Sequence, residues 1–178
     1  MFSSKITGER IYLRPYKKAD TVFWQKWDTD SEVQVFMPGL DKELALDDQL
    51  KYLEECRKEK SGIYWSILWK ENNQLIGTVS VTEINKIHGT GELGIIIGEK
   101  DYWGRGIATE AISLVLKCVL SSFGLRRIVA EYEKGNKGMR KALENNGFRR
   151  ECFCKESRMK NNKPIDTIRY YILLRKNQ

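Results

Sequence analysis

The chain has 178 residues, of which 41% are hydrophobic and 31% charged, so its length and composition suit one domain with a buried core. No run of about 18 apolar residues is present, which excludes a membrane-spanning helix of the usual kind. The first residues, MFSSKITGER, lack the apolar stretch of a secretory signal. We therefore expect a cytoplasmic protein with a single domain over residues 1–178 and no contact with a membrane.

The periodicity of apolar residues predicts the element order β α α β β β α β α β β. The first helix follows a strand that Pro15 ends, and a surface loop containing Pro38 and Gly39 separates it from the second helix. The predicted strands and helices before the closing hairpin lie at residues 9–16, 18–29, 43–60, 62–70, 74–84, 92–98, 106–121, 126–133 and 136–148.

The strand at 92–98 is almost wholly apolar, as expected of a central strand covered on both faces. The helix that follows connects it to the strand at 126–133, and such a crossover makes the two strands parallel. The sequence therefore predicts an α/β (α+β) fold, with a mixed, mostly antiparallel sheet flanked by helices.

The net charge of +7 is unevenly distributed along the chain. Residues 1–98 carry 13 Lys and Arg against 15 Asp and Glu, whereas residues 99–178 carry 18 against 9. A basic half of this kind favours an anionic partner, and nucleic acid, an acidic protein and a phosphorylated small ligand all fit that description.

Cysteine and histidine do not indicate a metal site. The four cysteines form no C-x-x-C pair, and His88 is the single histidine of the sequence. A zinc site needs about four such ligands at close spacing, so we expect no metal and ordinary thiols in a reducing compartment.

The stretch DYWGRGIATEA (101–111) brings two glycines and an arginine to the start of a predicted helix. Unpaired backbone N–H groups and the helix dipole favour an anion at such a position. Gly104 and Gly106 allow close approach and unusual backbone angles, and Arg105 adds a cation. The stretch therefore predicts an anion site, with a pyrophosphate as the first candidate. It is not a P-loop, and it lies too far from its strand for a dinucleotide-binding fold.

Together with GNKGMRKALENNGF (135–148), this stretch resembles the acetyl-CoA-binding core of the GNAT superfamily of N-acetyltransferases. The opening GERIYLRPYKKAD (8–20) is similar to the branch that acetylates the N-termini of ribosomal proteins, and polyamine and small-molecule acetyltransferases look similar. The resemblance spans nearly the whole chain. It implies a GNAT-type acyl-CoA N-acyltransferase fold and acetyl-CoA as the co-substrate.

The resemblance also implies which residues hold the cofactor. The family pattern Q/R-x-x-G-x-G/A falls on residues 103–108, with Trp103 in place of the usual Gln or Arg, a variant that fits the ribosomal-protein branch. The backbone amides of these residues would bind the pyrophosphate. The apolar strand would pair through its backbone with the pantetheine arm, as an added strand does, and Asn136 matches an asparagine that contacts CoA. The expected cofactor residues are Leu93, Gly94, Ile95, Ile97, Trp103, Gly104, Arg105, Gly106, Ile107, Ala108, Thr109 and Asn136.

Transfer of an acetyl group to an amine needs a base for the amine proton and benefits from an acid at the leaving thiolate. Glu92 is the first candidate for the base, and Glu131 and Glu133 are alternatives. The positions where the family and its ribosomal-protein branch place a tyrosine or serine donor are Leu143 and Met139, so neither donor is present. The thiolate then leaves unassisted or takes a proton from another residue, for which Tyr132 is the candidate.

The amine acceptor is expected over the acidic half of the chain. Asp28, Asp30 and Glu32 lie close to Trp24 and Trp27 in sequence, and carboxylates with aromatic rings suit a cationic amine. Glu32 and Trp27 are the candidate substrate residues. Core packing of the tryptophans and solvation of the acids is the alternative.

Three classes of function follow from the sequence. The first is an acetyl-CoA-dependent N-acetyltransferase that acts on a primary amine, whether a protein N-terminus, a polyamine or another small amine. The second is a non-catalytic acyl-CoA-binding domain of the same fold. The third is a basic nucleic-acid-binding module, which leaves the glycines and Asn136 unexplained. The oligomeric state is open, with a homodimer as one alternative.

Overall fold

The computed structural model describes residues 5–37 and 45–175. The strands are β1 (Ile6–Thr7), β2 (Ile11–Pro15), β3 (Ile63–Trp69), β4 (Leu75–Asn85), β5 (Thr90–Ile97), β6 (Arg127–Glu133), β7 (Arg149–Lys160) and β8 (Lys163–Leu173). The helices are α1 (Thr21–Thr29), α2 (Ser31–Gln34), α3 (Leu46–Lys58), α4 (Ile107–Phe123) and α5 (Lys137–Asn145). Short 3-10 turns cover Lys18–Asp20 and Lys100–Tyr102.

The predicted α/β fold and its order of major elements are confirmed, and two short elements are added. These are β1, with two residues, and α2, with four. Both are too short to produce a periodic pattern. Helix α2 begins where the Asp30 carboxylate accepts hydrogen bonds from the backbone N–H groups of Glu32 and Val33. The predicted turn at Pro38 and Gly39 lies outside the described residues.

The strands form one sheet in the order β1-β2-β3-β4-β5-β6-β8-β7, and every neighbouring pair is antiparallel except β5 and β6. The larger hydrophobic cluster includes residues of α4 and α5, whereas a smaller one contains Trp24, Trp27 and Leu53. Strand β5 contributes to both, because Leu93 lies in the larger cluster and Ile96 packs against the smaller. The predicted central strand with two covered faces is confirmed.

The parallel pair β5 and β6 separates partway along its length. The two strands are paired at residues 90–92 and 127–129, and within the described residues the pairing ends there. Strand β5 nevertheless continues to Ile97 while paired to β4, and β6 continues to Glu133 while paired to β8. Since each strand follows a different neighbour, an opening forms between residues 93–97 and 130–133. We call this opening the β5–β6 cleft.

Two helices begin at the edge of the sheet where the cleft opens. The carboxyl end of β5 leads through residues 98–106 into α4, and the carboxyl end of β6 leads through residues 134–136 into α5. Because β5 and β6 are parallel, both helix N-termini are brought to the same edge of the sheet, which is where α/β sheets place ligands.

Among residues 5–37 and 45–175, the structure contains no helix that is long and apolar enough to cross a membrane. The same residues contain no group of three or more His, Cys, Asp or Glu side chains arranged to hold a metal ion.

Candidate functional site

The glycine loop, residues 99–106, ends at the start of α4. Gly104 and Gly106 have φ values of +71° and +75°, in the left-handed region that favours glycine. A Cβ at Gly104 would meet no atom of the described residues within 4 Å, so conformation rather than crowding requires glycine there. The first helical hydrogen bond runs from Glu110 N–H to Gly106 O. Gly106 is the N-cap residue of α4 and has no side chain that could cap the helix. The amides of residues 107–109 therefore precede the helical hydrogen-bond ladder and are available to an anion.

Arg10, the residue before β2, binds both the glycine loop and the first turn of α4. Arg10 Nε lies 2.9 Å from Glu110 Oε2, and Arg10 Nη1 donates to the Arg105 carbonyl at 2.6 Å. The Glu110 carboxylate also accepts from the backbone N–H groups of Arg10 and Ile11. Partial burial acts to raise the pKa of Glu110, but the bonds from Arg10 outweigh it, so the pKa lies below its ordinary value. No sequence motif indicated this pair, whose partners lie 100 residues apart.

Trp103 joins the loop to the end of β5. Its indole Nε1 donates to the Ile97 carbonyl at 2.7 Å, while 44% of the residue remains exposed. The Arg105 guanidinium lies 5.7 Å from the centre of the Tyr102 ring. The loop thus begins just after the carboxyl end of β5, which forms one side of the cleft, and continues directly into α4.

Asn136 caps α5 on the other side of the cleft. Its Oδ1 accepts from the Met139 backbone N–H at 2.9 Å, as an N-cap residue does. Leu143, one of the two positions where a proton donor is expected, is fully buried. Met139, the other, packs partly buried against the core. Both positions therefore carry packing side chains.

Thr109 lies where the two helices meet. Its carbonyl accepts from Asn146 Nδ2 at 3.0 Å, and the same amide group donates to the Ala142 carbonyl at 2.8 Å. Since Asn146 follows the last residue of α5, these bonds hold α5 against the first turns of α4.

Three carboxylates and three basic side chains form what we call the carboxylate cluster. Arg158 joins two of the acids, because its Nη2 lies 3.8 Å from Glu92 Oε1 and its Nε lies 3.1 Å from Glu131 Oε1. The members of the cluster are Glu92, Glu131, Glu133, Arg158, Lys160 and Arg169.

Glu92 is the least tightly paired of these three acids. Its side chain is 26% exposed and lies at the last residue of β5 that pairs with β6. Burial, helped by the nearby Glu83 carboxylate, raises the pKa of Glu92 above its ordinary value, while Arg158 and Arg169 oppose that shift. Glu92 is therefore a stronger base than a solvated glutamate, and it lies at the closed end of the cleft.

Glu131 and Glu133 are held in closer ion pairs. Glu131 is bound by Arg169 at 2.9 Å and by the Thr167 hydroxyl at 2.9 Å, and its side chain is 6% exposed. Burial acts to raise its pKa, but bonds from Thr167 and Arg169 lower it overall. Glu133 pairs with Lys160 at 2.8 Å. The lowered pKa of Glu131 makes it a poorer proton acceptor than Glu92, and the ion pair with Lys160 occupies the Glu133 carboxylate.

Tyr132 belongs to the hydrophobic core. It packs in the same cluster as the buried residues of α4, whereas its neighbours Glu131 and Glu133 belong to the carboxylate cluster. Its ring centre lies 5.7 Å from that of Tyr170. Burial, with the Tyr170 phenol beside it, raises the pKa of Tyr132 above its ordinary value.

The acidic residues near α2 are paired with Lys100 of the glycine loop. Lys100 Nζ lies 2.8 Å from Asp30 Oδ2 and also contacts the Glu32 carboxylate. Asp28 instead accepts a hydrogen bond from Gln49, and burial raises its pKa. Much of the negative charge expected to attract an amine is therefore already balanced within the protein.

Both tryptophans of α1 are core residues, as the alternative interpretation of the sequence holds. Trp27 is 2% exposed and Trp24 is 6% exposed. Trp27 Nε1 donates to Glu99 at 2.9 Å, and a side chain added at Gly98 would overlap its ring. Trp27 therefore supports the end of β5 and the start of the glycine loop, and its ring has almost no surface for a ligand.

The segment after α2 lies beside the mouth of the cleft. Lys160, which pairs with Glu133, also donates to the Val35 carbonyl at 2.5 Å. The Phe36 ring lies 3.8 Å from the position of a Cβ on Gly135, in the turn that leads to α5. The basic members of the cluster come from β7 and β8, where the sequence shows only a general excess of Lys and Arg.

Comparisons with a family model and with a curated relative both identify an acetyltransferase. The family model for the acetyltransferase (GNAT) domain matches residues 10–149. An uncharacterised N-acetyltransferase of Bacillus licheniformis, p20, is 29% identical over 171 residues, or 94% of each chain.

Two solved structures show the same fold. The ribosomal-protein-S5-alanine acetyltransferase of Vibrio fischeri has a TM-score of 0.85 at 22% identity, over 99% of this chain and all of that one. The spermidine N-acetyltransferase of Vibrio cholerae, solved with CoA and spermine, has a TM-score of 0.83 at 22% identity, over 92% and 95% of the two chains.

Proposed function

Because the chain belongs to the GNAT family of acetyltransferases and is an N-acetyltransferase, we propose that it transfers the acetyl group of acetyl-CoA to a primary amine in the β5–β6 cleft. The observation that carries the proposal is the separation of β5 and β6 beyond Glu92. It leaves backbone of a central strand open to a ligand, next to the N-termini of two helices. The continuous sheet supports treating residues 1–178 as one catalytic domain.

The cofactor fits a site made of backbone atoms. We assign the pyrophosphate to the glycine loop and the first turn of α4, whose amides at residues 107–109 precede the helical ladder. The pantetheine arm is assigned to the exposed edge of β5 at residues 93–97, where peptide-like groups can hydrogen bond as an added strand does. Asn136 contributes by fixing the start of α5 on the opposite side.

Glu92 is assigned as the general base. The attacking amine must lose a proton, and a carboxylate with a raised pKa accepts one better than a strongly paired carboxylate does. Glu131 and Glu133 are assigned to binding Arg158, Lys160 and Arg169, because close ion pairs already occupy both carboxylates.

The CoA thiolate is proposed to leave without a proton from Tyr132. A thiol has an ordinary pKa of about 8.5, whereas burial raises the pKa of Tyr132 above its ordinary value of 10.0. Proton transfer from this phenol to the thiolate is therefore unfavourable. Met139 and Leu143, whose side chains carry no O–H or N–H group, supply no other donor.

The acceptor is proposed to reach Glu92 from the face of the sheet that carries the carboxylate cluster. Its class is a primary amine: a protein N-terminus, as in the ribosomal-protein branch, a polyamine or another small amine. The pairing of Asp30 and Glu32 with Lys100 argues that Glu32 shapes the entrance by holding α2 against the glycine loop. An entering polycation could still compete for these carboxylates.

The proposal is tested by two measurements on the purified chain. Saturating acetyl-CoA should raise the melting temperature, since a ligand that binds the folded state stabilises it. Release of CoA thiol should then be measured with peptides bearing free N-termini, with spermidine and with small primary amines. Stabilisation together with thiol release for one class identifies the acceptor. Stabilisation without release for any amine indicates a CoA-binding domain, and no stabilisation refutes the proposed cofactor site.

A further inference from the structure

Two cysteines lie side by side on the strand at the edge of the sheet. Cys152 and Cys154 belong to β7, and their Sγ atoms are 3.5 Å apart. Cys152 is exposed and Cys154 is partly exposed, whereas Cys56 and Cys118 are buried. All four are free thiols. The pair thus combines proximity with access from solvent, and the acetyl-transfer site described above uses neither residue.

The pairing of β7 with β8 is irregular on both sides of the two cysteines. The β7–β8 pairing shifts register between Arg150 and Cys152 and again between Cys154 and Arg158. Strand β7 ends the order of strands, so within the described residues no strand pairs with its outer side. Residues two apart in a strand have Cα atoms roughly 6.6 Å apart, near the upper end of the range that a disulfide spans. A small contraction of this irregular strand would bring the two sulfurs into bonding distance.

We propose that Cys152 and Cys154 form a reversible disulfide by exchange with a low-molecular-weight disulfide such as oxidised glutathione. One cysteine thiolate attacks the reagent, forms a mixed disulfide and releases one glutathione thiolate. The second cysteine thiolate attacks the mixed disulfide, closes the bond within the strand and releases the other glutathione thiolate. Two protein thiols are oxidised, one glutathione disulfide is reduced to two thiols, and the two cysteine protons leave with the products.

The geometry and exposure of the two cysteines favour a disulfide that forms and is reduced reversibly. A strained and exposed disulfide is easily reduced, which suits a reversible modification more than a structural crosslink. The neighbouring Cys154 thiol raises the pKa of the Cys152 thiol above its usual value. Because the thiolate is the attacking form, closure should become faster as the pH rises above neutrality.

Closure should also reach the carboxylate cluster. Cys152 pairs with Arg169 of β8, and Cys154 pairs with Thr167. Both partners bind the Glu131 carboxylate. A contraction of β7 at the cysteines should therefore displace Thr167 and Arg169, the two residues that hold Glu131. This displacement does not depend on acetyl transfer, so it can be measured without an activity assay.

The experiment uses the full reduced chain incubated with oxidised glutathione at several pH values. Intact mass should fall by two hydrogen atoms, peptide mapping should place the bond between Cys152 and Cys154, and reduced glutathione should reverse it. Cys152→Ser and Cys154→Ser should each stop at a mixed disulfide that carries one glutathione. Cys118→Ala, which removes a buried thiol, should close as the natural chain does.

Two results would overturn the proposal. One is a natural chain that accumulates a glutathione on each exposed cysteine, or joins to a second chain, without losing two hydrogen atoms. The other is closure that survives in either single serine variant. Amide hydrogen exchange of the oxidised chain should increase around Thr167 and Arg169, and unchanged exchange there would refute the link to Glu131.

Discussion

The glycine loop and the carboxylate cluster lie at the same cleft, but they are built from different parts of the chain. The glycine loop uses backbone groups from one continuous segment, with two residues in the left-handed region and a helix that begins directly after them. The carboxylate cluster uses side chains from β5, β6, β7 and β8, held by ion pairs between distant residues.

This difference determines how each region responds to mutation. A site made of backbone atoms tolerates many side chains but not a change that blocks its glycines. A site made of ion-paired side chains changes its proton affinity whenever a partner is removed, because the pKa of each carboxylate depends on its neighbours. A substitution at these glycines should therefore abolish acetyl-CoA binding, whereas removal of one ion-pair partner should shift the pKa of the proposed base by a limited amount.

The largest expected effect is the loss of acetyl-CoA binding in Gly106→Glu. The substitution places a carboxylate at the N-terminus of α4, where the pyrophosphate is proposed to bind, and a juxtaposed like charge costs several kcal/mol. We expect affinity to fall on the order of 100-fold or more, since each 1.4 kcal/mol is about tenfold. Isothermal titration with acetyl-CoA measures the change.

Gly124→Glu is the matched control for backbone strain. Gly124 follows the other end of α4 with a φ of +64°, and a Cβ there would meet no atom of the described residues within 4 Å, whereas a Cβ on Gly106 would lie 3.6 Å from Arg10 Nη2. Both variants should lose about 1–2 kcal/mol of stability, because both force a side chain into the left-handed region. Binding that survives in Gly106→Glu, or disappears equally in Gly124→Glu, would contradict the assignment of the pyrophosphate.

The second prediction concerns Glu92→Gln. Loss of the proposed base should lower kcat/KM by about 100-fold at neutral pH, and by less at alkaline pH, where more of the amine is already neutral. Acetyl-CoA affinity should not change. Glu133→Gln removes a carboxylate from the neighbouring strand and should keep its rate within a few-fold, so an equal loss in both variants would refute Glu92 as the base.

The raised pKa of Glu92 adds a readout that is independent of activity. A carboxyl group whose folded-state pKa is raised contributes stability below its unfolded pKa, and that contribution is lost as the pH rises through the folded pKa. Once ionised, the Glu92 side chain therefore lowers the stability of the folded state. Glu92→Gln should unfold at a slightly higher temperature than the natural chain at pH 7, and this difference should disappear at pH 4.

The same contrast explains what could be predicted from the sequence. Periodicity predicted the major elements, and the stretch through Gly104 and Gly106 predicted the start of α4, because both signals are local in the chain. The anion site at that position stays a prediction. The separation of β5 and β6 has no local signal, since it follows from the different partners of the two strands. Arg10 and Arg158 were missed for the same reason, because each meets its carboxylate only after the sheet has formed.

The third prediction tests whether side chains support the backbone site. Glu110→Gln weakens the ion pair that holds the glycine loop to Arg10, so acetyl-CoA affinity should fall roughly three- to tenfold. The loss of charge-assisted hydrogen bonds should cost about 1–2 kcal/mol of stability at neutral pH, a figure reduced by the partial exposure of Arg10.

The pH dependence of that loss has a definite sign. The folded-state pKa of Glu110 is lowered, so its contribution is present above the unfolded pKa of about 4.3 and is lost as the pH falls through the folded value. Denaturant unfolding of the natural chain and of Glu110→Gln should differ most near pH 7 and converge in acid. A gap that stays constant down to pH 3 would assign the effect to packing instead.

The smallest expected effect, and the most specific to the carboxylate cluster, is that of Arg158→Gln. Arg158 lowers the pKa of Glu92, so its removal should raise that pKa further and move the acidic limb of kcat/KM to higher pH. Glu131 should stay ionised, because Arg169 and Thr167 remain bound to it. Lys134→Gln is the control, since it removes one positive charge that is paired with Asp166 instead of a member of the carboxylate cluster. If Arg158→Gln leaves the limb in place, or moves it to lower pH, the group that titrates in catalysis is not Glu92.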